Sequence, residues 1–489
     1  MKEKNIGINA ILNVIRQALS IIFPLVTYPY ALRILGPTNI GKVNYVQSII
    51  SYFALIASIG VSNYIIREGS QKKSNIKKFT TFICEVYTIN IYFTILSYFL
   101  LIVCTLFIPK LKEYQLLLFV QGISIGLTTL GIEWINTIYE DFLRLTLRSI
   151  CTYIITIILL FIFVRNETDY IQYALLTVVT NGIICISNRI AYRKKIKLKM
   201  VKRCNIKTHI GPLIVMFANS IAVTINASFD MTMLGWMKGA YYAGVYSLAA
   251  KVYTVLKSLF GAIYVVAIPR LSFLYGTEKI DEYKNLNTKI FQCLLLLIIP
   301  GATGLVCAAE PIIVLIGGKE LLKAKMSLQL LAIALIFASL SGMLMNAVNI
   351  SLKREKSNLN IIMFGTLTNV LLNIAFIPRL FQTGAALATM LSEIFIFIYT
   401  IIKFKDIIIY LDIKKIKKSF FYSAIGAILI CIYVHFIKQI IMGYLLQLLI
   451  IFIGSILIYS LFLIIGKEEC CQGFVSQIKF KIRTLNKKD

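Results

Sequence analysis

The chain has 489 residues, of which 58% are hydrophobic and 15% are charged, and its net charge at pH 7 is +29. A mean hydropathy of +0.80 excludes a soluble globular protein, because a soluble chain needs a polar surface. The positive charge is found in short clusters between apolar runs, without an interleaved aromatic groove, so we expect no nucleic-acid partner.

Apolar runs recur along the whole sequence, each bounded by a charge cluster or by a Gly or Pro break. A helix of about 20 residues crosses the roughly 30 Å of hydrocarbon in a bilayer. We therefore predict an all-α, polytopic membrane protein with about fourteen transmembrane helices. The predicted spans are residues 7–28, 42–66, 79–107, 114–138, 143–164, 170–191, 209–234, 240–268, 289–316, 326–351, 358–378, 383–403, 419–437 and 443–466.

The first apolar run carries Asn13, Arg16 and Gln17, so it lacks the uninterrupted core of a signal peptide and is predicted to be a permanent span. Lys and Arg counted on alternate loops number 37 on one side and 11 on the other. Basic loops stay in the cytoplasm, so both termini are predicted to be cytoplasmic. The three remaining basic residues, Arg16, Lys251 and Lys257, fall near the middle of predicted spans.

The longest basic run, RIAYRKKIKLKMVKRCNIK, follows the sixth span. It predicts a six-helix lobe over residues 1–200, a second over 201–410, and two additional helices with a cytoplasmic tail over 411–489. A weak repeat supports the two lobes: LGPTNIGKVNYVQSI and LGWMKGAYYAGVYSLAAKV both run from Leu-Gly through a short loop to a Gly-led helix, about 200 residues apart. Two such hairpins could also match by chance.

Four polar residues of the first span lie on one helix face, at i, i+3, i+4 and i+7: Asn13, Arg16, Gln17 and Ser20. Because a charge buried in hydrocarbon is costly, this stripe is predicted to line a water-filled cavity. Alternatively, Arg16 extends to the cytoplasmic headgroups or pairs with Glu133 or Glu85.

The eighth span carries Lys251 and Lys257, too deep for both ammonium groups to reach one membrane surface. With Arg16 they predict a cationic cavity, and an anionic ligand such as a diphosphate would offset their desolvation. The alternative is pairing with Asp230 or Glu393.

The seventh span places Asn219, Asn226 and Asp230 at i, i+7 and i+11, on one helix face. Their oxygen atoms suit Na⁺, and the carboxylate could instead bind H⁺, so this face is a candidate site for a coupling ion. Asp230 could equally cap a helix or pair with a cation. Glu133 is a further candidate for ion coupling, because it too is an acid inside a predicted span.

The sequence predicts neither catalysis nor a bound metal or cofactor, apart from the coupling ion. Ten scattered cysteines show no CxxC or Cys/His spacing, which predicts no metal centre and no essential disulfide. GPTNIGKV resembles a phosphate-binding loop, but Val43 stands where a hydroxyl would hold Mg²⁺. His209 and His435 lack a neighbouring nucleophile in sequence, so we expect a protein that is not an enzyme.

Two segments carry a family resemblance. The first, YPYALRILGPTNIGKVNYVQSIISYFALIASIGVSNYIIREGS, resembles the opening of Wzx-type polysaccharide repeat-unit flippases, although Ile65 stands where the family often has Gly. Its matching positions are Pro29, Tyr30, Arg33, Leu35, Gly36, Gly41, Tyr64, Arg67 and Glu68. The second, FDMTMLGWMKGAYYAGVYSLAAKVY, is similar to the family's seventh and eighth helices. Its matching positions are Asp230, Leu234, Gly235, Gly244, Tyr246, Ala250 and Lys251.

The resemblance implies the fold of the multidrug/oligosaccharidyl-lipid/polysaccharide exporter superfamily, in which two six-helix lobes alternate between inward- and outward-open states. It implies a capsule or O-antigen pathway, an undecaprenyl-diphosphate-linked oligosaccharide as substrate, a location in the bacterial cytoplasmic membrane, and an ion gradient or membrane potential as driving force, as in an antiporter. A polysaccharide polymerase and glycosyltransferases of the same pathway would be partners.

Three other functions compete with this interpretation. A cation-coupled multidrug exporter of the same superfamily would more naturally keep an acidic cavity than one with Arg16, Lys251 and Lys257. A polymerase or membrane glycosyltransferase would normally have a large extracytoplasmic loop, and the longest one expected here has about a dozen residues. A scaffold without transport would leave the charges inside the spans unexplained.

Overall fold

The computed structural model describes residues 6–139, 141–193, 196, 198–201 and 206–472. The described part is helical and contains no strand, which confirms the prediction of an all-α chain. The helices are α1 Ile6–Ser58, α2 Val61–Lys72, α3 Ile76–Phe107, α4 Pro109–Lys112, α5 Gln115–Gly131, α6 Trp134–Ile138, α7 Phe142–Phe163, α8 Tyr170–Tyr192, α9 Ile206–Lys238, α10 Ala240–Val265, α11 Ile268–Gly276, α12 Ile280–Cys307, α13 Ala309–Gly317, α14 Lys325–Met343, α15 Glu355–Lys403, α16 Ile413–Ile440 and α17 Tyr444–Ile465.

Twelve helical segments of the described chain are long and apolar enough to cross a membrane, which confirms the polytopic membrane class. Two of them, of 58 and 47 residues, are far longer than one crossing needs. Each covers most or all of two predicted spans, and in each a long helix is interrupted by one residue with non-helical backbone, Gly36 in α1 and Phe381 in α15. The number of membrane crossings cannot be read from helix length alone, so the total of about fourteen transmembrane helices stays a prediction.

Several predicted spans are interrupted in the structure, and 114–138 and 289–316 are two of them. Span 114–138 is broken by Ile132, whose φ of 44° is left-handed, so α5 and α6 are separate helices. Span 289–316 is broken at Ala308, where α12 ends and α13 begins. Hydropathy could not reveal these breaks, because it measures how apolar a segment is and not whether its helix is continuous.

Contacts divide the chain into two compact units, Met1–Ser247 and Leu248–Asp489. In the first unit, α1 packs against α3, α5, α7 and α9, and α5 packs against α8. Its buried core includes Tyr45, Ile50 and Leu118 around α1 and Ile65, Phe79 and Ile83 between α2 and α3. In the second unit, α12 packs against α14 and α16, and α14 against α15. The predicted lobe boundaries at residues 200 and 410 stay predictions.

Helix α9 is attached to α1 by small and hydroxylated side chains. Thr232 Oγ1 donates to Ser48 Oγ at 2.8 Å and lies 2.9 Å from the hydroxyl oxygen of Tyr52. Gly235 lies under the ring of Tyr45, where a Cβ would be only 2.5 Å from Cγ of that ring. Small residues let two membrane helices approach closely, and these contacts place α9 in the first unit.

Candidate functional site

The first unit contains a cluster of polar side chains within the predicted spans. Arg148 of α7 is 8% exposed, and its Nη2 donates to Oε1 of Glu133 at 2.9 Å. Its Nη1 donates to Oδ1 of Asn188 in α8 at 2.7 Å. Arg16 of α1 belongs to the same neighbourhood, since Arg16, Glu133 and Arg148 all act electrostatically on Tyr153. This cluster joins α1, α7 and α8 at the break between α5 and α6.

Asn188 fixes the arginine of this cluster. Its Nδ2 donates to the carbonyl of Gly131 at 2.7 Å, and its Oδ1 also accepts from Nδ2 of Asn136 at 3.0 Å. The Gly131 carbonyl is available because α5 ends there. The amides of Asn136 and Asn188 therefore orient Arg148, whereas the Glu133 side chain remains 55% exposed. A half-exposed carboxylate held by one arginine can exchange its partner for a ligand or an ion.

Asp230 of α9, the predicted ion-coupling acid, is 8% exposed and accepts a hydrogen bond from the hydroxyl of Tyr246 at 2.8 Å. Tyr246 lies in the first turns of α10, directly after the tight turn at Gly239. Asn226, one turn before Asp230 on the same helix, is partly exposed. The structure therefore places the carboxylate where α9 and α10 meet.

The second unit contains a compact ion pair. Nζ of Lys257 in α10 donates to Oε1 of Glu393 in α15 at 2.7 Å. The hydroxyl of Tyr253 donates to the same oxygen at 3.0 Å and accepts from Lys257 at 3.2 Å. The Glu393 side chain is 7% exposed and the Lys257 side chain 40% exposed, so the acid is buried and the base is accessible.

Amides and hydroxyls continue from this ion pair along α15. Ser392, next to Glu393, donates to the carbonyl of Thr389 at 2.9 Å. Asn373 donates to Oδ1 of Asn369 at 3.0 Å, and the amide of Asn369 approaches the Ser392 hydroxyl at 3.5 Å. These residues join the two halves of α15, in agreement with the role of Asn and Ser between membrane helices.

The remaining predicted site residues are placed as follows. Lys251 lies on α10 and is partly exposed, and Gln17 lies exposed on α1. The side chain of Asn13 lies outside the described residues. Within the first unit Arg16 and Glu133 both lie near Tyr153, and within the second unit Lys257 meets Glu393, one of the two acids that the sequence offered as partners.

An apolar groove of about 400 Å³ lies in the second unit, between α10, α12, α16 and α17. Phe260, Pro300, Gly304, Ile430 and Ile451 are among its lining residues. Leu256, the neighbour of Lys257 on α10, also contributes to its wall. Helix α10 therefore presents an accessible ammonium group and one side of an apolar groove.

Sequence reasoning missed Arg148 and Tyr253. Arg148 lies near the start of predicted span 143–164. A basic residue at that position reads as part of the neighbouring cytoplasmic loop. Its partners Glu133 and Asn188 are on other helices, so no spacing pattern points to it. Tyr253 precedes Lys257 by four residues, and this i, i+4 spacing was a signal that could have found it.

His209 also gains partners that the sequence does not indicate. Its Nδ1 lies 3.0 Å from the hydroxyl oxygen of Tyr64 in α2, and its Nε2 lies 3.0 Å from Oε2 of Glu85 in α3. The imidazole is buried against the ring of Phe82. This arrangement attaches the beginning of α9 to α2 and α3, which is a structural role.

The whole described fold is similar to that of solved membrane transporters. "Lipid II flippase MurJ, inward closed conformation" superposes with a TM-score of 0.73 at 18% identity, covering 93% of this chain and 98% of that one. An inward-facing multidrug resistance MATE family transporter of the MOP superfamily superposes with a TM-score of 0.57 at 13% identity, covering 80% and 97%. At these identities the likeness establishes a shared fold and nothing beyond it.

Residues 6–274 match the family described as polysaccharide biosynthesis protein, and the chain belongs to that family. Among its relatives, a protein of Escherichia coli (strain K12) named "Putative O-antigen transporter" is 22% identical over 320 residues, which is 64% of this chain and 74% of that protein. The "Probable flippase AglR" of Haloferax volcanii is 26% identical over 168 residues, 33% of this chain and 34% of that protein. The names of these two relatives describe a transporter and a flippase.

Proposed function

We propose that this protein is a flippase that moves undecaprenyl-diphosphate-linked oligosaccharide units across the bacterial cytoplasmic membrane, with both termini in the cytoplasm. The family and the names of the relatives support a lipid-linked saccharide as substrate. The observation that carries the proposal is that α10 presents both the accessible ammonium group of Lys257 and, through Leu256 and Phe260, one wall of an apolar groove of about 400 Å³. An amphiphile with an anionic head and a long hydrocarbon tail fits both features.

In the proposed mechanism, the diphosphate binds to the cationic side chains Arg16, Lys251 and Lys257, aided by Asn13 and Gln17, while the isoprenoid tail stays in the apolar groove. Lys257 then exchanges its carboxylate partner Glu393 for a phosphate. The exchange keeps the ammonium group paired throughout, and the Tyr253 hydroxyl remains as a donor to the Glu393 carboxylate that is released. Movement of the two lobes by alternating access exposes the sugar on the outer side.

The driving force in this proposal is an ion gradient or the membrane potential. Asp230, Asn226 and Glu133 are the proposed coupling residues, with Na⁺ or H⁺ as the ion, and no other cofactor is proposed. The hydrogen bond from Tyr246 to Asp230 supports this role. It connects the carboxylate to the start of α10, so binding of an ion at Asp230 would alter a contact of that helix.

The proposal is tested by measuring flipping of a fluorescent undecaprenyl-diphosphate oligosaccharide in proteoliposomes, with and without an imposed ion gradient. We expect gradient-dependent flipping that falls at least tenfold in Arg16→Ala and Lys251→Ala. Arg270→Ala, which removes an exposed arginine from α11, is the matched control and should flip normally. Normal flipping by both cavity variants would remove these residues from the mechanism.

The rival function is a cation-coupled multidrug exporter. The pairing of Lys257 with Glu393 argues against it. The buried carboxylate of Glu393 already has a cationic partner, so it is not an open binding site for a cationic drug. Resistance to cationic drugs in cells expressing the protein, together with no flipping of several glycan substrates by folded protein, would favour the exporter.

A further inference from the structure

Two helical segments begin in the same way within the first unit, the second half of α1 and the start of α10. Gly36, with φ of 72°, breaks α1, and its second half starts at Pro37. Gly239, with φ of 91°, precedes Ala240, where α10 starts. Both φ values lie in the left-handed region, which glycine adopts without strain. Each new helix thus follows a tight turn made by a single glycine.

Each of these helices carries a second glycine five positions after the first, Gly41 and Gly244. Gly239 and Gly244 each lie 203 positions after Gly36 and Gly41, so the two helix starts correspond residue by residue. The Leu-Gly pairs that the sequence repeat aligned do not correspond in space, since Gly235 lies inside α9. The structural register therefore differs from the sequence register by four residues.

The two helix starts cross at these second glycines, and the contact is reciprocal. A Cβ on Gly41 would collide with the carbonyl group of Ala240, with its carbon 2.7 Å away, and would lie 2.7 Å from the backbone nitrogen of Gly244. A Cβ on Gly244 would collide with the carbonyl group of Pro37, with its carbon 2.6 Å away. Each glycine thus rests on the first residue of the other helix, and the two backbones touch.

A closed layer lies on the inner side of the crossing. The hydroxyl oxygens of Tyr28 and Ser247 are 2.6 Å apart, and both residues are buried. Ser48, also buried, accepts from Thr232. These buried hydroxyls pair with one another one to two turns beyond the glycines.

We infer that the crossing of Gly41 and Gly244 is the gate that closes the transport path at its extracytoplasmic end. The inference rests on the proposed function and on the proposed orientation, which puts the turns at Gly36 and Gly239 outside. Backbone contact between glycines seals tightly without interlocked side chains, so the helices can separate without pulling apart a large apolar interface.

The gate is tested by thiol labelling in intact cells, a measurement that needs no substrate. Ser48→Cys places a nearly isosteric thiol behind the crossing, and cells carrying the chain without this change give the background from native cysteines. A membrane-impermeant thiol reagent should label Ser48→Cys slowly. Adding Gly41→Ala or Gly244→Ala should increase the labelling rate at least fivefold, because the Cβ holds the helices apart.

Gly211→Ala is the matched control, because Gly211 is a helical glycine of the first unit with nothing within 4 Å of an added Cβ. It should leave labelling slow. Unchanged labelling in folded Gly41→Ala and Gly244→Ala proteins would overturn the gate. Equal acceleration by Gly211→Ala would do so too, because the effect would then not depend on the crossing.

If neither glycine variant folds, cross-linking provides the second measurement. Thr38→Cys and Tyr241→Cys place thiols in the first turns of the two crossing helices, and a short flexible bismaleimide joins them. A joined gate should stop flipping in proteoliposomes, whereas the unreacted double variant should flip normally. Continued flipping by the joined protein would refute the gate. If the glycine variants accelerate labelling as expected but the unreacted double variant does not flip the proposed substrate, the gate stands and the proposed substrate is wrong.

Discussion

The pairing of Lys257 with Glu393 shows how this protein keeps a charged residue inside the membrane. The carboxylate is nearly buried and receives two hydrogen bonds, while the ammonium group is held at its accessible side. Removing one partner of a buried pair leaves the other charge uncompensated, which costs more than the pair itself contributes. The pair is therefore a stability determinant as well as a proposed substrate contact.

We predict that Lys257→Met lowers the free energy of unfolding by on the order of 1–3 kcal/mol, because it leaves the Glu393 carboxylate with only Tyr253 as donor. The lower part of this range applies because the lysine side chain is 40% exposed and partly screened. Thermal unfolding in detergent measures the loss. In a Glu393→Gln background the same change should cost clearly less, and an equal cost in both backgrounds would contradict the pairing.

Arg16 illustrates how far residue-level reasoning extends. Its depth and its polar stripe are visible in the sequence, and so are the acids that could pair with it. The structure pairs Glu133 with Arg148, which lies 15 positions after Glu133 in the chain and on a different helix, α7. The choice between Arg16 and Arg148 is made by helix packing, which no local pattern encodes.

At the scale of single helices, breaks and tight turns decide where the polar groups lie. The end of α5 at Gly131 frees the carbonyl that anchors Asn188, and the turn at Gly239 brings Tyr246 to Asp230. A straight helix in either place would satisfy these groups internally and would leave the side chains without their present partners.

Gly60 is the clearest test of such a turn. It has φ of 72° between α1 and α2, and an added Cβ would lie 2.7 Å from Cβ of Met216 and 2.8 Å from the backbone nitrogen of Phe217 in α9. We predict that Gly60→Ala destabilises the protein by roughly 2–4 kcal/mol, the sum of left-handed strain and overpacking.

The loss at Gly60 is measured by the midpoint of thermal or denaturant unfolding of the purified protein. Gly276→Ala is the control, because Gly276 has an ordinary φ and open space around it. It should change the midpoint little. A Gly60→Ala protein as stable as the control would mean that α9 does not pack on this turn.

At the scale of the whole molecule, the second unit combines charge and a groove for hydrocarbon. The groove is walled by α16 and α17, the two helices that follow the predicted second lobe, and by α10 and α12. Many large apolar side chains of α17 are exposed, among them Leu446, Phe452 and Ile456, as expected for a helix in contact with lipid. A lipid chain could therefore enter the groove from the bilayer without crossing a polar surface.

We predict that Gly304→Leu narrows the groove and lowers flipping of the full-length undecaprenyl substrate at least threefold. Nothing lies within 4 Å of a Cβ added to Gly304, so the leucine should occupy the groove without unfolding the helix. A short-chain prenyl-diphosphate analogue should be flipped at nearly the normal rate. Gly276→Leu, outside the groove, is the control, and an equal loss for long and short chains would show that the groove does not hold the tail.

The sequence by itself determined the membrane class, the positions of most spans, and the family. It could do so because hydropathy and short motifs are local, and each residue contributes to them independently of its distant neighbours. The Leu-Gly and Tyr-rich motifs near residues 35 and 235 indicated the family before any contact was known.

Only the tertiary structure decided which charges pair, where helices break, and which glycines meet. Glu393 is selected as the partner of Lys257 over Asp230, and Gly41 meets Gly244, across more than 100 residues of chain in each case. The physical reason is that ion pairing and backbone contact depend on distances between helices, which fall within a few ångströms only after packing fixes the helix faces.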